Sequence, residues 1–166
     1  MLFIFSGLPG SGKSTIAQAL AKQLSAFYLR IDTIEQAILK AEKDDHEMGP
    51  AGYFVAYSLA RENLLLGATV ITDSVNPLAL TRDAYREIAL SASTGFLEIE
   101  IVCSDEIEHR KRVETRVSEV EGLTLPDWKD VTDLTYEPWN REHLILDSCS
   151  LSSDECVSRI IDVLSQ

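Results

Sequence analysis

The chain reads as an α/β protein: an open parallel sheet sandwiched between helices. Three observations lead there. Apolar runs alternate with longer amphipathic stretches along the whole chain, with short connections between them. Four of the five strand-like runs are mostly or continuously apolar, as strands are when both faces of a parallel sheet are covered. The opening "MLFIFSGLPGSGKST" sets five apolar residues before a stretch with three glycines in seven positions, and an amphipathic segment follows at once.

Each element has its own signal. Residues 2–5 form the first strand, and "KSTIAQALAKQL" the first helix, with Ile16, Ala19, Leu20 and Leu24 on one face. Residues 27–31 read as the second strand, and "DTIE" opens a helix behind it. "PAGYFVAYSLARENLLLG" begins on a proline suited to the first helical position and stops at Gly67. The third strand is 69–72, followed by the helix "PLALTRDAYREIALSAS". Residues 96–103 make the fourth strand, whose "FLEIEIV" alternation predicts one wetter face. In "DEIEHRKRVETRV" and just beyond, Val113, Val117 and Val120 read as a buried stripe with Arg112 and Arg116 beside it. Residues 119–141 break the rhythm, contain Pro126 and Pro138, and read as a mobile, lid-like flap within one domain spanning 1–166. The fifth strand is 143–146, and a last helix buries Val157, Ile160, Ile161 and Leu164.

Bulk properties narrow the function. A chain of 166 residues, 45% hydrophobic and 25% charged, suits one compact domain with a proper core. No apolar run approaches the roughly 20 residues of a membrane span, and the start lacks the basic region of a secretory signal. Cys103, Cys149 and Cys156 have no CxxC or metal-like spacing and read as reduced thiols of a cytoplasmic protein. His46, His109 and His143 are scattered. A net charge of −12, with "HRKRVETR" as the one basic segment, argues against a nucleic-acid partner and for a small substrate in a locally basic pocket.

Residues Gly7, Leu8, Pro9, Gly10, Ser11, Gly12, Lys13 and Ser14 match G-x-x-x-x-G-K-[ST]. Glycines let successive N–H groups point inward as an anion-holding nest, and the helix starting near Lys13 adds its unpaired N–H groups and positive dipole end. Lys13 then reaches the β- and γ-phosphates, and the Ser14 hydroxyl can ligate Mg²⁺. By chance such a match arises on the order of one time in a hundred in a chain this size, and less with a strand before it and a helix after it.

Two aspartates end strands on the loop's side of the sheet. Asp32 has two roles open to it: helix cap with Glu35 reciprocating, or the base that takes a proton from an attacking hydroxyl. Asp73 ends a Walker-B-like "TVIT" and reads as a Mg²⁺ ligand or acceptor-positioning group, against a turn aspartate bonded to local backbone. Asn76 and Arg82 are candidates for the same crevice. At least one of Arg112 and Arg116 is expected to supply charge to a migrating phosphoryl group. Tyr53, Tyr57 and Arg61 recur every four residues and read as packing before pocket wall; Trp128, Tyr136 and Trp139 are open between the two.

These residues carry a resemblance. "GLPGSGKST", an aspartate after the second strand, "VITDSVNP" after the third and an arginine-bearing helix before a lid resemble the small P-loop kinases. That group includes polynucleotide kinase, chloramphenicol phosphotransferase, gluconate kinase and adenylylsulfate kinase. The resemblance implies a three-layer P-loop fold with a five-stranded parallel sheet in order 2-3-1-4-5 and a short lid between strands four and five. It further implies ATP and Mg²⁺ held by Lys13 and Ser14, Thr15 near the α-phosphate, Asp32 as base, Arg112 or Arg116 as lid arginine, and "LDSCS" near adenine. One position departs: Glu35 stands where polynucleotide-kinase-like members typically have a phosphate-gripping arginine. The expected activity is an ATP-dependent kinase transferring the γ-phosphoryl group to a hydroxyl of a small molecule. The alternative is a nucleotide-dependent ATPase or switch with water as its acceptor.

Overall fold

The computed structural model describes residues 1–41 and 49–164. Five strands, β1 (Leu2–Ser6), β2 (Phe27–Arg30), β3 (Val70–Asp73), β4 (Phe96–Val102) and β5 (Leu144–Asp147), form one sheet in the order β2-β3-β1-β4-β5. Every pairing is parallel, with Leu2 opposite Val70 on one side and Phe96 on the other. The helices are α1 (Lys13–Leu24), α2 (Ile31–Ala41), α3 (Ala51–Leu65), α4 (Ala79–Ser91), α5 (Glu106–Thr115), α6 (Trp128–Asp133) and α7 (Ser153–Leu164).

Strand periodicity sorts the core onto two faces. Phe3 and Phe5 of β1 join Ile16, Leu20 and Ile160 under α1 and α7, whereas Leu2 and Ile4 join Ala60, Leu64, Tyr85 and Ala89 under α3 and α4. Each large side chain so buried contributes about 1.5–3 kcal/mol before entropy is counted. The central strand β1 is buried throughout. The edge strands are not, so the reading of fully covered strands holds at the middle of the sheet and fails at β2 and β5.

Two expectations are corrected here. The wetter face expected of β4 is covered: Glu98 is 5% exposed and pairs with Arg141, and Glu100 bonds His143 at 3.0 Å. The valine stripe also stops early. α5 ends at Thr115 and Arg116 turns extended, so the helical period no longer applies, and Val117 is 87% exposed.

Because all five strands run the same way, their carboxyl ends open on one side, with β1 between β3 and β4. That is where open α/β sheets gather ligands.

Candidate active site

The link from β1 to α1 is held open by its glycines. Gly7 sits at φ +140°, where an added Cβ would strike the Ile101 carbonyl, and its N–H donates to the Val75 carbonyl at 3.1 Å. Gly10 sits at φ +83°, and a Cβ there would lie 2.5 Å from Val113 Cγ2. The loop ends at Gly12, which caps α1 without any side-chain bond to the helix. The first N–H groups of α1 therefore have neither an intrahelical acceptor nor a cap, the condition of an anion-binding helix start. Lys13, Ser14 and Thr15 line a crevice of about 320 Å³ together with Arg30, Asp32, Arg112, Arg116 and Glu119.

Charge in this crevice is densely coupled. Lys13 is buried, and burial pulls its pKa below the ordinary lysine value; the nearby Asp73 and Asp32 oppose that shift, while Arg116 and Arg30 add to it. Asp73 is 2% exposed, and its Oδ2 accepts from the Tyr28 hydroxyl at 2.5 Å, with Arg30 Nε at 4.0 Å. Its Oδ1 is buried with no partner among the described residues. Leaving such an oxygen unpaired costs about 1–3 kcal/mol, and a cation or its hydration shell would remove that cost. The oxygen set of Ser14 and Asp73 beside a lysine thus fits a hydrated divalent ion bound with a triphosphate.

Asp32 is not the cap of its helix. α2 begins one residue earlier, at Ile31, so Asp32 stands in the first turn and its Oδ2 accepts from Arg30 Nε at 3.3 Å. Glu35 packs over Gly52 of α3, and burial followed by the Asp32 charge raises its pKa.

The two arginines differ. Arg112 is fastened: it donates to Glu108 at 2.9 Å and to the hydroxyl and carbonyl of Ser148 at 2.9 and 3.3 Å. Ser148 Oγ in turn donates to the Ser11 carbonyl at 2.7 Å, so the turn after β5 braces the glycine loop. Arg116 is loose. Its Nε and Nη2 are buried without partners among the described residues, and burial lowers its pKa despite the Asp32 charge. A desolvated guanidinium with free donors suits an anion.

Other expectations resolve into structure. Asn76 and Arg82 do not line the crevice. Asn76 Nδ2 donates to Ser6 Oγ at 3.2 Å, and Arg82, 1% exposed, donates to the carbonyls of Asn76 and Pro77. Its guanidinium also lies 4.4 Å from the centre of the Trp139 ring, which stacks on His143 at 3.9 Å. Tyr57 meets Tyr85 edge-on at 4.7 Å and Tyr53 at 6.0 Å, so that stripe is packing, while Arg61 is exposed. Cys103 and Cys149 are free thiols with sulfurs 2.8 Å apart; burial, then the bond to Cys149, pushes Cys103 up to about 12. His46 lies outside the described residues. Sequence reading overlooks Arg30 and Tyr28, and places Ser148 only as part of "LDSCS". Arg30 had a signal: a charge at the carboxyl end of a strand beside Asp32.

Comparison with known proteins agrees with this geometry. A family model described as "AAA domain" matches residues 2–135. The adenylyl-sulfate kinase of Bacillus velezensis is 28% identical over 162 residues, covering 95% of this chain and 81% of that protein. A probable adenylyl-sulfate kinase of Pseudomonas aeruginosa is 30% identical over 82% of this chain and 64% of its own length. Among solved structures, a putative kinase from Chloroflexus aurantiacus superposes with a TM-score of 0.76 over 99% of this chain and 95% of that one, at 20% identity. The APS kinase CysC of Mycobacterium tuberculosis, in complex with AMPPNP and APS, gives 0.72 over 99% and 97%, also at 20% identity. These last two establish the fold. The family match covers most of the chain, which therefore belongs to this AAA domain family as a P-loop phosphotransferase working with ATP and Mg²⁺.

Proposed function

We propose that the enzyme transfers the γ-phosphoryl group of ATP to a hydroxyl of a small-molecule acceptor, with Asp32 as the base. One observation carries this reading: Asp32 and the loose Arg116 line the same crevice as the glycine loop and Lys13. ATP with Mg²⁺, when bound, supplies the phosphoryl group and offsets part of its negative charge.

The chain's own groups do the rest. The N–H groups of residues 10 and 12–15 and the Lys13 ammonium would hold the phosphate tail, with Ser14 and Asp73 on the metal side. Arg116 donates from Nε and Nη2 to the oxygens of the migrating group, where charge spreads. Arg112 stays with Ser148 and shapes the nucleotide wall. Asp32 accepts the acceptor's proton on the carboxylate oxygen that Arg30 leaves free. Residues 119–141 act as a lid: Glu119 bonds Arg30 at 3.2 Å, which brings the segment over the crevice and excludes competing water.

The acceptor differs from a strongly anionic one. Arg30 is already engaged by Asp32 and Glu119, and Glu35 occupies the place where the polynucleotide-kinase-like pattern puts an arginine. A cytoplasmic metabolite with a free hydroxyl fits. The test is ADP release with MgATP across nucleosides, sugars, amino alcohols, polyols and adenylyl sulfate. Stimulation by one acceptor, with label recovered in its phosphate ester, supports the reading. Fast turnover indifferent to every acceptor makes the protein an ATPase instead.

A further inference from the structure

We propose that His109 is a positioning residue that sets the direction of an amide in the phosphate-binding loop and links that loop to α6. His109 is buried, and its Nε2–H donates to the Pro9 carbonyl at 2.9 Å. A peptide unit is planar and trans, so its C=O and the following N–H point in opposite directions. Holding the Pro9 oxygen toward α5 therefore turns the Gly10 N–H away from α5, and Pro9 and Gly10 both line the crevice. The contact is close along its length: a Cβ on Gly10 would collide with Val113, one turn after His109 on the same helix.

The other side of the imidazole meets the lid segment. Trp128, the first residue of α6, lies edge-on to the His109 ring with centroids 5.2 Å apart. α6 is itself fixed by a reciprocal Asp127–Asp130 cap and by buried Val131. One side chain thus touches the loop carbonyl and the lid helix, and α5 runs from it toward Arg116. Phosphate entering the loop pulls on the Gly10 amide, and that pull reaches Trp128 through the ring.

The test uses the full chain with Trp139→Phe, leaving Trp128 as its single tryptophan. MgADP is the probe, followed by Trp128 emission and by calorimetry. In this parent, emission changes in step with binding. His109→Phe keeps a flat ring against Trp128 but removes the donor, and it weakens MgADP by ~2- to 10-fold, the range of one net hydrogen bond. His109→Gln keeps an N–H donor, restores affinity toward the parent value, and loses the emission response. In steady state the loss in His109→Phe falls on the KM for ATP and leaves kcat at saturation near the parent value. Equal affinity in His109→Phe and parent overturns the proposal. So does an unresponsive Trp128 while calorimetry records binding, a result that requires no change at His109 and so holds even if those variants fold poorly. Absence of any binding heat would overturn it together with the ATP-dependent reading, and is told apart by that signature.

Discussion

Lys13 carries a charge that burial resists and two aspartates sustain. Its pKa is lowered in the free protein, and a triphosphate alongside favours the ammonium, so binding raises the pKa again. The sign follows: at alkaline pH, between the free and bound values, ATP binding takes up a proton, and affinity falls as pH rises through the free-protein value. Calorimetry in two buffers of different ionisation enthalpy should record that uptake, and it should shrink as pH is lowered below the free-protein value. The arginines allow a sharper contrast. Arg116→Ala should lower kcat by ~10²-fold, the range for losing one preorganised donor to transition-state charge, with ATP affinity nearly kept. Arg112→Ala should instead weaken ATP, because Ser148 and the Ser11 carbonyl lose their brace. Steady-state kinetics on both variants separates the two roles. Sequence reading does not distinguish them, since both stand on the same arginine-rich stretch and only the helix end at Thr115 sets one loose.

At the scale of elements, β4 and the segment leading into β5 are joined by charge. Arg141 makes a fork to Glu98, reaches Asp83 on α4, and holds the end of residues 119–141 against the sheet. Removing one partner of such a pair leaves a buried charge unmatched. Arg141→Met should therefore cost about 3 kcal/mol in urea unfolding. The double variant with Glu98→Leu should recover much of that loss, since two apolar side chains need no partner. A full loss persisting in the double variant would mean that Asp83, not Glu98, is the partner that matters. The elements themselves were legible in the sequence because apolar period and glycine punctuation are local. Their edges were not. The apolar run places strand five one residue early, and Asp-x-x-Glu, a genuine capping pattern, leaves a cap open to Asp32. In the structure the helix takes Ile31 as its first residue, and the Asp32 carboxylate accepts from the Arg30 guanidinium instead of capping.

Over the whole molecule, parallel topology explains why residues as distant as Lys13, Asp32, Asp73 and Arg116 share one neighbourhood. They follow the carboxyl ends of different strands, or the helices beyond them, and the sheet order 2-3-1-4-5 brings those ends together. That order followed from the resemblance carried by the glycine loop, not from periodicity, which is blind to which strand neighbours which. The clustering also puts Lys13, Arg30, Arg112 and Arg116 of a −12 chain around one crevice, consistent with a small phosphate-bearing ligand. The contacts of residues 119–141 lie beyond sequence reading for another reason: Arg82 under Trp139 and His109 against Trp128 join residues far apart in the chain, with no period to announce them.

Proton removal by the first-turn carboxylate of α2 is the step on which this picture turns. The direct measurement is turnover of Asp32→Asn at saturating MgATP and acceptor, beside its nucleotide affinity. A fall in kcat of at least ~100-fold with ATP affinity nearly intact is the predicted result. Turnover equal to that of the unaltered enzyme would contradict it, leaving Asp32 as no more than the partner of Arg30.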